Sequence, residues 1–230
     1  MALKSADDKR TIKPENLFED RARTNILKKG EQRLIRYLLE KVPPFITPNK
    51  MTIVGFIGSI IVFSAFILAI YYGRIYLSIG LLGLMVNWIG DSLDGRLAYY
   101  RQIQRKWYGF ALDIMMDWLS IILIGLGYYF YAPIYSKVLG FLFVVFYGWS
   151  MIISLLRYKI AGIYNIDSGK LGPTELRVII AFILLFEIIL PGSITYLAAI
   201  VTLLLLFINI KDSINLLNLG DRKDEEEKRQ

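Results

Sequence analysis

The sequence predicts an all-α integral membrane protein, six transmembrane helices with an N-terminal juxtamembrane amphipathic helix. Three observations lead there. Hydrophobic residues make up 55% of the 230, with a mean hydropathy of +0.47, more apolar than soluble domains usually are. Apolar runs long enough to cross a bilayer recur along the chain. The connections between them alternate between basic-rich and basic-poor.

Residues 1–48 read as an N-terminal segment with no apolar run long enough for a signal peptide or a span. Between Glu15 and Val42, the apolar residues Leu27, Leu34, Ile35, Leu38 and Leu39 share one helical face, with Arg, Lys and Glu opposite. That pattern predicts a helix lying on anionic lipid; the sharper alternative is a helix that closes over a cytoplasmic site. Residues 49–211 then form the transmembrane domain. Its apolar runs are Met51–Tyr72, Ile75–Tyr100, Gly109–Ala132, Ile134–Leu156, Leu176–Leu190 and Ser193–Ile210, the fifth being the shortest. Residues 212–230 form a tail of mixed charge, expected to be disordered. There is no internal repeat of the kind many transporters carry.

The net charge of +7 could point to nucleic acid, but its distribution points to a membrane instead. Twelve of the 27 Lys and Arg precede the first run; the connections that follow carry in turn Arg74 alone, four, Lys137 alone, four and none, and the tail has five. By the positive-inside rule both termini and the second and fourth connections face the cytoplasm, which puts 25 of 27 basic residues on one side. No nucleic-acid partner is expected.

The absence of Cys and His excludes thiolate nucleophiles, disulfides, His-based triads, and zinc or haem held by those side chains. Polar chemistry must come from other groups, and five carboxylates lie within the apolar runs: Asp91, Asp94, Asp113, Asp117 and Glu187. An ionised Asp at a helix centre costs about 2.5–3.5 kcal/mol on insertion scales, so such residues are rare without a use. Asp91 and Asp94 are three apart near the end of one run, and Asp113 and Asp117 are four apart near the start of the next. Those spacings put each pair on one helix face. The short connection makes the two helices antiparallel neighbours, so four carboxylates should converge just inside the cytoplasmic boundary.

Four negative charges together require protons or cations. With oxygen donors alone, hard divalent ions are the natural occupants, Mg²⁺ or Mn²⁺ as working ions and Ca²⁺ as a non-productive one. Two ions bound by shared carboxylates suit in-line displacement at phosphorus. The competing interpretation is a proton-sharing or Arg-paired structural cluster. A divalent-cation carrier is the reading from another class, opposed by the lack of any acidic relay across the membrane. Glu187, alone beside Leu190 and Pro191, reads as an interface residue, neutral or solvated. Gly95, Ala98 and Gly109 are small where a ligand would need room, or where helices pack closely. Gly80, Gly83, Gly125 and Gly127 permit close packing within or between chains.

The stretch Asp91-Ser-Leu-Asp94-Gly95-Arg-Leu-Ala98-Tyr99, nine residues, then Gly109-x3-Asp113-x3-Asp117 resembles the signature of the CDP-alcohol phosphatidyltransferase family, D-x2-D-G-x2-A-R-x8-9-G-x3-D-x3-D. Seven of its eight fixed positions match; Tyr99 stands where the family has an Arg that the resemblance assigns to the nucleotide or diphosphate, with Arg96 and Arg101 nearby. Thr47-Pro48-Asn49-Lys50-Met51-Thr52 is similar to the family's P-N-x-x-T opening. The resemblance implies transfer of a phospho-alcohol group from a CDP-linked donor to a hydroxyl acceptor, with release of CMP and two divalent cations per site. It implies Asp91, Asp94 and Asp113 as metal ligands and Asp117 as general base that also touches a metal. Asp94, Gly95, Ala98, Gly109, Asn49 and Thr52 would lie against the donor nucleotide. A homodimer in a prokaryotic plasma membrane is the matching expectation.

For the acceptor, Arg157, Lys159, Lys170, Glu175 and Arg177 flank the fourth connection, where cations could bind an anionic head group or simply follow the positive-inside bias. Gly172-Pro173-Thr174-Glu175 is similar to a stretch of the choline and ethanolamine phosphotransferase branch, although Pro and Glu also suit a first helical turn. The preferred reading takes CDP-diacylglycerol as donor and a small polar alcohol as acceptor. The alternative takes CDP-choline or CDP-ethanolamine as donor and diacylglycerol as acceptor.

Overall fold

The computed structural model describes residues 28–161 and 172–229. Among these there is no strand: seven α-helices run α1 Lys28–Lys41, α2 Pro48–Tyr72, α3 Leu77–Tyr100, α4 Lys106–Tyr131, α5 Lys137–Ala161, α6 Pro173–Ile189 and α7 Ser193–Lys228. In lipid a spanning chain has no water to satisfy its N–H and C=O groups, so runs of this hydropathy become helices. Five of them, α2, α3 with its leading 3₁₀ turn, α4, α5 and α7, are long and apolar enough to cross a membrane. The apolar runs predict six; α6, at 17 residues, is shorter than the other five.

Local chemistry sets the helix ends. Thr47 accepts the Lys50 N–H and Pro48 occupies the first turn of α2, a position where its missing N–H is no loss. Gly73, at φ 100°, ends α2 in a conformation that a side chain would disfavour. The α1–α2 loop contains Pro43 and Pro44, and its carbonyls have few backbone donors to meet. The Arg101 guanidinium supplies them, donating to Val42 O at 3.2 Å, Pro43 O at 3.0 Å, Pro44 O at 3.4 Å and also to Ile46 O.

α2 packs along α3 and α4, α5 along α4 and α7, and α6 against α3 and α7. The central core joins Val62, Phe66, Leu77, Leu84, Ile124, Tyr128, Leu184 and Ile194. Large apolar side chains such as Ile53, Leu82, Phe141 and Phe207 face outward, as lipid-facing residues would. The closest approach is between α2 and α3, where Gly55 and Gly58 meet Gly83, Asn87 and Gly90. A Cβ on Gly58 would lie 2.3 Å from Asn87 N, and one on Gly90 2.1 Å from Gly55 N. This backbone contact lets Asn87 donate across to Gly55 O at 3.0 Å and Ser59 Oγ at 2.9 Å. Gly80, Gly83, Gly125 and Gly127 likewise face neighbours within the chain.

Two expectations are corrected. Glu187 is buried, not solvated: it is 4% exposed and accepts the Tyr131 hydroxyl at 2.9 Å and the N–H groups of Ile194 at 2.9 Å and Gly192 at 3.2 Å. Its carboxylate satisfies the free donors at the start of α7, which an apolar surrounding would otherwise leave unpaired. Glu187→Gln, with one good acceptor instead of two, is expected to lower stability by about 1–3 kcal/mol. Thermal unfolding in detergent would check this, and an unchanged midpoint would remove the capping role. The charged tail, expected to be disordered, instead continues α7 to Lys228. Its Glu, Lys and Arg residues are good helix formers, and an existing helix needs no new nucleus.

On α1, Ile35 and Leu39 are buried with Met51, Leu93 and Leu97, while Leu34 and Tyr37 are exposed. Leu38 is partly buried against the same cluster. Leu27 lies outside the described residues. Glu31 is buried and accepts the Thr174 hydroxyl at 3.1 Å, which ties α1 to the first turn of α6.

Candidate active site

The start of α2, the end of α3, the starts of α4 and α6, and α1 all meet at one end of the bundle. α3 brings Asp91 and Asp94 there, and α4 brings Asp113 and Asp117. Asp91, Asp113 and Asp117 each offer one carboxylate oxygen, and the three oxygens lie within 4.8 Å of one another. All three residues are half-buried. Their donor set is purely hard oxygen, which fits Mg²⁺, Mn²⁺ or Ca²⁺ and does not fit a soft metal.

Asp94, expected as a fourth ligand, stands outside that group of three. It accepts the Thr52 hydroxyl at 2.7 Å and the N–H of Gly95. Thr52, assigned from sequence to the donor nucleotide, is thus the partner that orients Asp94. Asn49, one helical turn before Thr52, accepts from Arg105 at 2.9 Å and donates to the Tyr108 hydroxyl at 3.3 Å. Arg105 also stacks over the Tyr108 ring, 3.8 Å from its centroid.

The small residues differ in surroundings. Gly109 is exposed, and a Cβ there would meet nothing within 4 Å among the described residues, so its smallness serves no helix contact among them. Gly95 is exposed and Ala98 half-buried. Tyr99, at the position where a cation was expected, packs against the Ile35 and Leu39 cluster under α1. Arg101 cannot stand in for that cation, because its guanidinium is engaged by the α1–α2 loop. Arg96 is buried.

The candidate acceptor residues that the structure describes differ in their partners. Arg157 pairs with Asp212 on α7 at 3.7 Å, and Lys159 is exposed near the end of α5. Lys170 lies outside the described residues. Glu175 is buried and accepts the Gly172 N–H at 3.0 Å, so it caps its own helix. Arg177 sits on the carboxylates themselves, with Nη1 at 2.9 Å from Asp91 Oδ2 and Nη2 at 3.4 Å from Asp117 Oδ1. Its Nε donates to Asn87 Oδ1 at 2.7 Å. Asn87 is the residue that sequence reasoning missed; its signal was an amide in an apolar run, four residues and so about one turn before Asp91.

Beside Asp117 a groove opens between α4, α5, α6 and α7. It is lined mainly by apolar side chains, including Ile114, Met151, Leu176, Val201 and Leu205.

A family model described as CDP-alcohol phosphatidyltransferase matches residues 45–208, more than half of the chain and the whole of the site. A comparison with curated proteins found no match.

Proposed function

The chain belongs to the CDP-alcohol phosphatidyltransferase family, and from that premise we propose that it is a phospholipid-synthesis enzyme. It transfers a phosphatidyl group from CDP-diacylglycerol to the hydroxyl of a small polar alcohol and releases CMP. The observation that carries this reading is the meeting of Asp91, Asp113 and Asp117 oxygens within 4.8 Å at one end of the bundle.

Asp91, Asp113 and Asp117, with Asp94 beside them, would hold two divalent cations. When bound, Mg²⁺ or Mn²⁺ supplies charge neutralisation for the donor diphosphate and the leaving phosphate. The other steps fall to the chain. Asp117 takes the proton of the acceptor hydroxyl. The acceptor oxygen bonds to the lipid-linked phosphorus, the bond from that phosphorus to the bridging oxygen breaks, and CMP leaves with the electron pair. Thr52 fixes the Asp94 carboxylate beside the cluster, and the open space at Gly109 would admit the nucleotide. The apolar groove ending at Asp117 supports a substrate with acyl chains, held beside the reacting group.

The basic-rich connections support a site on the cytoplasmic side with both termini there, α6 crossing as a sixth span. α1, an amphipathic helix at that surface, covers the site through its contacts with α3 and Thr174. The alternative, CDP-choline or CDP-ethanolamine with diacylglycerol, rested on Gly172-Pro173-Thr174-Glu175. The capping bond of Glu175 accounts for that stretch without any substrate.

The test is CMP release by purified protein in nanodiscs with Mg²⁺ or Mn²⁺. CDP-diacylglycerol is offered with serine, glycerol 3-phosphate, inositol or inositol phosphate; CDP-choline and CDP-ethanolamine are offered with diacylglycerol in parallel. Metal-dependent release with a CDP-diacylglycerol pair is expected. Release confined to the CDP-amino-alcohols would establish the alternative, and cation flux without CMP release would make the protein a carrier.

A further inference from the structure

We propose that Arg177 is the resident counter-cation of the carboxylate cluster and competes with a divalent ion for Asp91 and Asp117; this rests on the reading that those carboxylates hold metal. Arg177 reaches two of the three clustered carboxylates, at 2.9 Å and 3.4 Å, and its side chain is only 12% exposed. The guanidinium Nε donates to Asn87, which is itself fixed by Gly55 O and Ser59 Oγ on α2. The start of α6 is anchored in turn by the Glu175 cap and by the Thr174 bond to Glu31. Arg177 is therefore held where it is by groups on two helices besides its own, α3 and α4. It is not a surface cation that has drifted onto a nearby acid.

The consequence is electrostatic. Asp91, Asp113 and Asp117 would together carry a formal charge of −3, and Arg177 lowers this to −2 in the absence of metal. A divalent ion needs oxygens from the same two carboxylates. It must either draw them away from the guanidinium or lie close to a positive charge, and both weaken its binding. The same contact steadies the metal-free protein, because like-charged carboxylates at this spacing repel. A residue that only fastened α6 to α3 and α4 would behave in the opposite way: its loss would loosen the site and weaken metal binding.

The experiment is Mn²⁺ titration of the full chain in detergent, with free Mn²⁺ read by electron paramagnetic resonance, alongside thermal unfolding in EDTA and in Mn²⁺. Arg177→Met keeps the stem and removes the charge. It should bind Mn²⁺ roughly tenfold tighter or more, within the usual range for coupled sites. It should also unfold at lower temperature in EDTA and gain more from Mn²⁺ than the wild type does. Arg177→Lys, which keeps a charge but cannot span three acceptors, should fall between the two and carries the test if the Met variant does not fold. Wild-type binding with equal or weaker binding in the variants overturns the competition alone. If the wild type and the variants all fail to bind Mn²⁺, the metal reading falls and the competition falls with it.

Discussion

Asp117→Asn is expected to lower turnover by about 10²–10⁴-fold, the usual contribution of a positioned general base, while donor binding changes little and Mn²⁺ binding weakens by much less than turnover falls. The amide oxygen can still accept from Arg177, whose Nη2 lies 3.4 Å from Asp117 Oδ1, so the local geometry has a means of surviving. What the amide lacks is the capacity to take a proton. Asp91 and Asp113 remain to hold metal. CMP release at saturating donor and acceptor, measured beside Mn²⁺ binding on the same preparation, separates the two effects. Turnover near the wild-type rate would remove Asp117 as the base. A collapse of metal binding in step with turnover would make it a ligand first.

Gly90→Ala should cost the protein its packing and, through it, the site. A methyl group there would lie 2.1 Å from Gly55 N, 2.4 Å from Gly55 Cα and 2.6 Å from Met51 O, all of them backbone atoms that cannot rotate aside. α2 and α3 must separate. Overpacking of this kind costs about 1–3 kcal/mol, and more where only backbone can yield. Asp91 follows directly in the chain, and the Asn87 bonds to α2 depend on the same close approach. The unfolding temperature and the Mn²⁺ affinity should therefore fall together. Gly220→Ala is the control: a Cβ there meets nothing within 4 Å, and alanine suits a helix better than glycine. Equal midpoints for Gly90→Ala and the wild type would show that the close α2–α3 contact is dispensable.

The helices and the chemistry of the site were legible in the sequence, for separate reasons. A long apolar run in lipid has one way to satisfy its backbone, so hydropathy alone marked α2, α3, α4, α5 and α7. The shorter α6 is where counting runs by hydropathy and measuring helices diverge. Helical period placed Asp91 with Asp94 and Asp113 with Asp117, and charge in an apolar run marked them as candidates for function. Period does not set how far each helix rotates about its axis against its neighbours. That rotation groups Asp91, Asp113 and Asp117 and leaves Asp94 with Thr52.

Sequence by itself determined that this is an all-helical membrane protein of the CDP-alcohol phosphatidyltransferase family, with carboxylates of a kind that could hold a hard cation. Tertiary structure alone decided which partner each polar group takes. Arg177 pairs with Asp91 and Asp117, Arg101 went to the loop carbonyls, and Glu187 went to the start of α7. The division has one physical cause. Backbone satisfaction and hydropathy act within a single segment and can be read along the chain. A buried charge takes whichever opposite charge or donor packing brings within about 3 Å, and that depends on contacts between segments far apart in sequence.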